Sequence, residues 1–221
     1  MASDRAIEDD GIEGDGEITL EMLRAVERDE RVSQRSLAAS LNIALGLTNA
    51  YLKRCVGRGL VKVKKIPPNR YAYYLTPTGF SEKTRLTARY LTNSFSFYRR
   101  ARNQCDELIQ EAADAGVRRL ALIGSGELTE IALLCALQYD LEVVAVVDSE
   151  ARANRFRHAP LVRDLESAGA VDAVLICDLK APQSAFDSLS EAFAPERILT
   201  PELLKITRAS GTPQSFAESG R

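Results

Sequence analysis

The amino-acid sequence predicts an α/β protein in two folded parts, the first mostly helical with one β-hairpin and the second a doubly wound parallel sheet. Two observations support this assignment. Residues 17–59 carry apolar side chains at helical spacing and are followed by two short alternating segments that end at Thr76. Between residues 118 and 208, short apolar runs alternate with helical segments, which is the order of elements in a parallel sheet.

The composition is that of an ordinary globular protein with one large or two small domains. Of its 221 residues, 45% are hydrophobic and 27% charged, which excludes a wholly disordered chain. No apolar run approaches the ~20 residues of a membrane span, and the first residues are acidic where a signal peptide would be basic and then apolar. We therefore expect a cytoplasmic protein that does not associate with a membrane.

The cysteines do not form a recognisable metal or disulfide pattern. Cys55, Cys105, Cys135 and Cys177 lie far apart, and the chain has one histidine. The absence of a CxxC pair and of clustered histidines argues against zinc fingers and disulfide-rich scaffolds, and we expect no metal site.

The formal net charge of −2 hides a separation of charge along the chain. Residues 1–16 carry one arginine against six acidic side chains, whereas residues 17–80 carry eleven basic side chains against five acidic ones. Residues 81–116 have a net charge of +1 and residues 117–221 a net charge of −4. One basic block between two acidic ones indicates that one part of the chain meets a polyanion. The acidic leader, residues 1–16, is predicted to be disordered, although it could also screen the basic surface from non-specific DNA.

Three helices are predicted in the basic block. Leu20, Leu23 and Val26 recur at helical spacing and define the first helix. Ser33 is a good N-cap for the second, SQRSLAASLNI, and the third, ALGLTNAYLKRCVGRG, ends at Gly59. Two helices joined by a tight turn, the second lying across a small core, are the helix-turn-helix arrangement.

The third helix divides into two faces. Thr48, Leu52 and Cys55 are spaced to point inward, together with Ile43 and Leu60. A second face suits the major groove of DNA, because its two small residues allow close approach while its polar side chains can read bases or bind phosphate. Its residues are Gly46, Asn49, Ala50 and Lys53. The alternative is an ordinary solvated helix face.

The segments LVKVKK (60–65) and YAYYLT (71–76) alternate in polarity around the turn IPPNR, which predicts a two-stranded hairpin. A stiff basic hairpin directly after a recognition helix is a wing, placed for phosphates or the minor groove. Its tip carries Lys64, Lys65, Asn69 and Arg70, and Arg35 on the second helix is a further candidate phosphate contact.

At this point residues 17–92 resemble the winged helix-turn-helix regulators of the MarR type, through SQRSLAASLNI, KRCVGRGLVK and the LTPTG step. They look most like the branch associated with exopolysaccharide gene clusters, which has an Asn and a Lys where this chain has Asn49 and Lys53. The resemblance implies binding to double-stranded DNA as a homodimer. It also implies that the linker helices, residues 81–116, form the dimer interface; the alternative is a helix that merely spaces the domains. The sequence predicts a break in these helices near Thr92–Ser94.

The second folded part is predicted to contain five buried strands. They are read from the apolar runs Leu120–Ile123, LEVVAVVD, APLV, DAVLIC and RILT. Strands that alternate with helical pieces predict a Rossmann-like domain over residues 117–208. The last residues, 209–221, are polar and predicted to be disordered.

A candidate ligand site follows the first of these strands. Gly124 allows a tight turn, and Gly126 lets a ligand phosphate approach the N-terminus of the next helix. Asp148 follows 22 residues after Gly126, where an acid can hold ribose hydroxyls. Two departures weaken this reading: Thr129 replaces the third glycine of GxGxxG, which predicts poorer packing of the helix on the strand, and Glu127 places negative charge beside the site. The candidate site is Gly124, Ser125, Gly126, Glu127 and Asp148, and it could bind a dinucleotide, bind another nucleotide-like ligand, or be an empty scaffold.

The order of the two parts is similar to that of the redox-sensing repressor family Rex, whose GxGxLG turn compares with GSGELT here. The stretches GSGELTEIA, VVDSEAR and HAPLVRDLES also resemble small Rossmann domains attached to sugar-nucleotide and polysaccharide enzymes. These resemblances imply NAD(H) or a sugar nucleotide as the ligand.

Catalysis is not expected. Within residues 117–221 there are a single histidine, His158, and a single tyrosine, Tyr139, and no YxxxK pair. Cys135 and Cys177 are predicted to lie in the core. The chain is therefore expected to be a metabolite-sensing transcriptional regulator. The alternative is a DNA-binding regulator whose Rossmann-like domain binds no ligand and serves as a dimerisation or docking scaffold.

Overall fold

The structure, a computed structural model, describes residues 3–67 and 70–208, with residues 3–14 and 70 given by their backbone alone. It confirms the predicted fold class: a winged helix-turn-helix followed by a mostly parallel sheet with helices. The chain divides between Phe95 and Ser96 into two compact units. The predicted disordered tail, residues 209–221, lies outside the described residues.

The first unit contains the three predicted helices, the hairpin and the beginning of a fourth helix. These elements are α1 (Ser3–Arg28), α2 (Gln34–Leu41), α3 (Leu45–Gly57), β1 (Val61–Ile66), β2 (Arg70–Leu75) and α4 (Pro77–Asp114). β1 and β2 pair antiparallel, from Val61 opposite Leu75 to Ile66 opposite Arg70.

Local chemistry sets the ends of the short helices. The Ser33 hydroxyl accepts a hydrogen bond from the Ser36 amide at 3.0 Å, and the Ser36 hydroxyl accepts one from the Ser33 amide at 3.1 Å, which is a capping box. Asn42 ends α2 in the left-handed conformation. Gly59, with φ of +70°, turns the chain from α3 into the hairpin.

The core of the first unit lies between α1, α2, α3 and the hairpin. The inward face predicted for α3 is confirmed, because Thr48, Leu52, Cys55 and Leu60 are buried, while Ile43 is half-buried. The buried residues of this core are Leu20, Met22, Leu23, Val26, Leu37, Tyr51, Leu52, Cys55, Leu60, Val61, Tyr73 and Leu86.

One junction joins α3, the hairpin and α4. The Thr76 hydroxyl donates to the Gly59 carbonyl at 2.6 Å and accepts from the Gly79 amide at 3.0 Å. The Thr76 amide donates to the Leu60 carbonyl at 3.1 Å. A Cβ added at Gly79 would lie 2.1 Å from the Leu60 carbonyl oxygen, so glycine is required there by the close approach of two backbones.

Two expectations for helical segments are corrected. The predicted break at Thr92–Ser94 is wrong, since α4 continues through it, and the Thr92 and Ser94 hydroxyls bond to carbonyls four residues earlier within the helix. The predicted disorder of the leader also differs from the structure, in which α1 begins at Ser3. Asp15 accepts hydrogen bonds from Tyr51 and Arg54 of α3. This contact between residues far apart in sequence cannot be predicted from local sequence.

The second unit is a six-stranded sheet with the order β5-β6-β4-β3-β7-β8. The elements are β3 (Arg119–Ile123), α5 (Glu127–Ala136), β4 (Glu142–Val147), β5 (Arg155–Phe156), β6 (Ala159–Val162), β7 (Ala173–Ile176), α6 (Pro182–Ser190) and β8 (Ile198–Leu199). The five predicted strands are present and run parallel. The additional β5 pairs antiparallel with β6 at the edge of the sheet.

The strand order reverses between β3 and β7, because the chain proceeds from β3 to β4 on one side and from β7 to β8 on the other. Right-handed crossovers then place α5 and α6 on opposite faces of the sheet. The second half of α4 lies on the α5 side, where the Tyr139 hydroxyl donates to Asp106 at 3.0 Å. The loops after β3, β4 and β7 share the carboxyl edge, the usual position of ligands in such folds.

Among the helices within the described residues, none combines the length and the apolarity that crossing a membrane requires.

We predict that Gly79→Ala lowers the stability of the protein by about 1–3 kcal/mol, because the new methyl group overpacks against backbone that cannot move freely. Gly57→Ala is the matched control, since a Cβ at Gly57 meets nothing within 4 Å. Urea unfolding followed by circular dichroism measures both variants. Equal midpoints would show that the junction tolerates a side chain.

Candidate functional site

The exposed side of α3 carries the residues proposed to enter the major groove. Gly46, Ala50 and Lys53 are exposed and lie opposite the buried face of the helix. Asn49 is half-buried at the edge of this surface. Its Oδ1 is shielded from solvent and has no hydrogen-bond partner among the described residues. Rotation of the Asn49 side chain is therefore needed before it can pair with an adenine edge.

Several basic side chains of the first unit are exposed and have no carboxylate partner among the side chains that the structure describes. They are Arg28, Arg31, Arg35, Lys53, Lys62, Lys64 and Lys65. Their charges are available for phosphate, because no internal ion pair neutralises them. Lys62 was not among the predicted site residues, although the alternating pattern of LVKVKK places it on the same side of β1 as Lys64.

The rest of the predicted wing tip is only partly described. Asn69 lies outside the described residues, and Arg70 is known by its backbone, which pairs with Ile66 at the start of β2. Tyr71 is exposed opposite Lys65. The hairpin thus presents lysines and an aromatic ring to solvent, a combination suited to a nucleic-acid backbone.

Other basic residues of α3 are engaged in ion pairs. Asp15 accepts hydrogen bonds from the Tyr51 hydroxyl and from Arg54, whose Nη1 lies 2.5 and 2.8 Å from the two carboxylate oxygens. The hydrogen bond from Tyr51, together with Arg54, holds the pKa of Asp15 below its usual value, and Asp15 raises the pKa of Tyr51. Asp15 belongs to the acidic leader, so this leader reaches the recognition helix.

Arg58 at the end of α3 is also paired, with Glu82 of α4 at 2.9 Å. Glu82 receives further hydrogen bonds from Arg85 at 2.7 and 3.0 Å. Arg85 and then Arg58 lower the pKa of Glu82 to about 2. Lys53 is therefore the described cation of α3 that remains without a carboxylate partner.

In the second unit, the two glycines of the first turn have different roles. Gly124 has φ of +98°, and a Cβ there would lie 2.8 Å from the Asp178 backbone of the neighbouring loop. Packing inside the fold therefore requires this glycine. Gly126 has extended backbone, and a Cβ there would meet nothing within 4 Å. It leaves open space at the N-terminus of α5.

Thr129 corrects one expectation about this turn. The sequence suggested that a threonine in place of the third glycine would pack poorly. The structure shows Thr129 fully buried, with its hydroxyl donating to the Gly124 carbonyl at 2.7 Å and accepting from the Gly126 amide at 3.3 Å. Thr129 thus fixes the turn from within, and it engages one amide that a phosphate would otherwise use.

Asp148 lies at the carboxyl edge, as its position after β4 predicts. One carboxylate oxygen accepts from the Ser125 hydroxyl and the other from the Glu150 amide at 2.9 Å. The Ser125 hydrogen bond lowers the pKa of Asp148 the most. The structure thus brings Ser125, Gly126 and Asp148 together, with Glu127 exposed beside them in the first turn of α5.

The described residues contain no group of three or more His, Cys, Asp or Glu side chains arranged to hold a metal ion. Cys135 and Cys177 lie in the core, as expected, and burial raises the pKa of Cys105 to about 12. His158 is exposed in the turn between β5 and β6.

Comparison with known proteins identifies the first unit. Residues 16–62 match the family described as winged helix-turn-helix DNA-binding. No curated protein matches the chain significantly. Among solved structures, one described as "PigF with SAH" is similar, with 14% identity over 86% of this chain and 73% of that chain, at a TM-score of 0.29. A structural similarity at this TM-score gives no information about function. The family match establishes a DNA-binding domain at residues 16–62.

We predict that Asp15→Asn strengthens binding to a random-sequence duplex, because it frees Arg54 for phosphate. The dependence of log K on log salt should steepen by up to about 0.9 for each bound chain, the value for one additional neutralised phosphate. Glu21→Gln is the control, since it releases Arg24 on α1 rather than an arginine on α3. Weaker binding by Asp15→Asn would instead mean that Asp15 positions α3 for DNA.

Proposed function

We propose that the protein is a sequence-specific transcriptional regulator that binds double-stranded DNA as a homodimer and responds to a nucleotide-type metabolite. The observation that carries the proposal is a set of exposed cations, Arg35, Lys53, Lys62, Lys64 and Lys65. They are unpaired among the described side chains, and they lie on the second and third helices and the hairpin, beside or within the residues that match a DNA-binding family. In this proposal Asn49 reads a base, and the lysines of the hairpin bind phosphates.

The surface of α4 supports a homodimer. Tyr90, Leu91 and Phe95 are 43%, 47% and 60% exposed within the first unit. Large apolar side chains on a helix that faces solvent are characteristic of interaction surfaces. A two-fold dimer would present two recognition helices to the two halves of a palindrome, in keeping with the MarR-type resemblance.

The carboxyl edge of the sheet supports an effector. Gly126 leaves space at the N-terminus of a ten-residue helix, and Asp148 with Ser125 offers polar groups for hydroxyls. The resemblances noted in the sequence make NAD(H) or a sugar nucleotide the leading candidates. The scaffold alternative is supported by Thr129 and Asp178, because they account for the turn without any ligand. We further propose that the chain is not an enzyme.

The role of each DNA contact is testable by selection from a randomised duplex library. We expect the wild-type protein to select a palindrome and to bind it with two chains per duplex. Asn49→Ala should cost about 1–3 kcal/mol and relax the preference at one base pair of each half-site. Lys64→Ala should weaken all duplexes alike and reduce the salt slope by about 0.9 for each bound chain, or about 1.8 for the dimer. Uniform weakening by both variants would assign Asn49 a structural role.

The effector is testable by thermal unfolding with NAD(H), NADP(H), CoA, and UDP- and GDP-sugars near 1 mM. A ligand present at one hundred times its dissociation constant adds about 2.7 kcal/mol to the native state, which raises the melting midpoint. Gly126→Val should abolish the shift and keep DNA binding, because its side chain occupies open space. If no compound shifts the midpoint, the scaffold alternative is favoured.

A further inference from the structure

The second unit carries a basic segment that is not part of the DNA-binding domain. Residues 151–163 contain four arginines and His158 but no acidic side chain, although residues 117–221 have a net charge of −4. All four arginines, Arg152, Arg155, Arg157 and Arg163, are exposed. Positive charge is therefore concentrated in this segment, whereas residues 117–221 as a whole are acidic.

The fold brings these arginines onto one short hairpin. β5 and β6 pair antiparallel, with Arg155 opposite Pro160, and the Leu161 amide donates to the Asn154 carbonyl at 3.0 Å. At the base of the hairpin, Arg163 Nε donates to the Ala151 carbonyl at 3.1 Å, which places Arg163 beside the segment that carries Arg152. Arg152 and Arg163, eleven residues apart in sequence, thus come from neighbouring segments of the fold.

The arginines differ in how they are engaged. Arg157 is paired with Glu130, with its Nε 2.9 Å from the carboxylate. Arg155 donates from Nη2 to the His158 carbonyl at 2.6 Å, and Arg163 donates from Nε to Ala151. Among the described residues, neither of these two nor Arg152 has a carboxylate partner. Each guanidinium has five N–H donors, so Arg155 and Arg163 keep most of theirs for another group.

We propose that this arginine-rich hairpin is a second DNA contact, which binds the phosphate backbone outside the site read by the winged helix. The inference rests on the proposed function, because it concerns DNA already held by the first unit. Holding one segment of a duplex raises the local concentration of neighbouring phosphates around the second unit. Arginine suits this role, since its planar fork matches phosphate oxygens.

The arrangement fits a polymer of phosphates better than a small anion or a protein. The arginines lie along the hairpin and are all exposed, so they do not enclose a pocket for one ligand. Phe156, the aromatic side chain of this segment, packs against the core of the second unit. The segment therefore lacks the exposed aromatic anchor that is typical of protein interfaces.

The test compares two duplexes with full-length protein. One contains the selected palindrome alone, and the other contains it with about 15 added base pairs on each side. We expect wild-type protein to bind the flanked duplex more tightly, with a steeper dependence of log K on log salt. Combined Arg152→Gln, Arg155→Gln and Arg163→Gln should remove that increment, about 0.9 in slope for each phosphate that is no longer bound, and leave binding to the short duplex unchanged.

Two further variants keep the test independent of folding. Arg152→Gln alone removes a side chain with no internal ion pair among the described residues, so it should lower the slope on the flanked duplex by about 0.9 for each bound chain without affecting the fold. Arg118→Gln is the matched control, because Arg118 is an exposed arginine at the amino edge of the same sheet, just before β3. It should behave as wild type on both duplexes.

The outcomes separate this inference from the proposed function. If wild-type protein binds both duplexes with the same affinity and slope, the second contact is overturned and the regulator remains. Equal weakening on both duplexes in the triple variant would also overturn it, because the effect would not depend on flanking DNA. If wild-type protein selects no duplex at all, the proposed function itself fails.

Discussion

The arrangement of the first unit depends on a contact between two backbones. The Leu60 carbonyl lies against Gly79. Thr76 forms hydrogen bonds with Gly59, Leu60 and Gly79 and so links the two backbone segments. This junction fixes the end of the recognition helix, the start of the hairpin and the start of α4 in one place. A recognition helix and a wing can act on one duplex only if their relative position is set, so the junction is a condition for DNA binding.

Charge pairing then decides which cations of this unit remain available to a polyanion. Asp15 and Glu82 neutralise Arg54 and Arg58 on the flank of α3, whereas Lys53 and the hairpin lysines have no such partner among the described residues. Arg54 and Arg58 are held beside Asp15 and Glu82, whereas the unpaired lysines remain available to phosphate. A similar division recurs in the second unit, where Arg157 is held by Glu130 and Arg152 has no carboxylate partner among the described side chains.

Contacts inside the fold account for part of the glycine-rich turn of the second unit. Gly124 is required by the neighbouring Asp178 backbone, and Thr129 holds the turn together by two hydrogen bonds. Neither residue needs a ligand to account for it. The fold places no such constraint on Gly126, because a Cβ there would meet nothing within 4 Å. Gly126 is therefore the glycine of this turn that packing inside the fold does not explain.

The sequence by itself determined the order of the first three helices, the hairpin and the five parallel strands. Apolar spacing located α1 through Leu20, Leu23 and Val26, and apolar runs located the five parallel strands, because both signals are local along the chain. Tertiary structure alone decided which charges are paired and that α1 extends back through the leader. It also decided that Gly79 and Gly124 contact backbone from other parts of the chain. Each of these depends on a partner distant in sequence, Arg54 for Asp15, Leu60 for Gly79 and Asp178 for Gly124. Local periodicity carries no information about such partners, since only the folded chain brings them together.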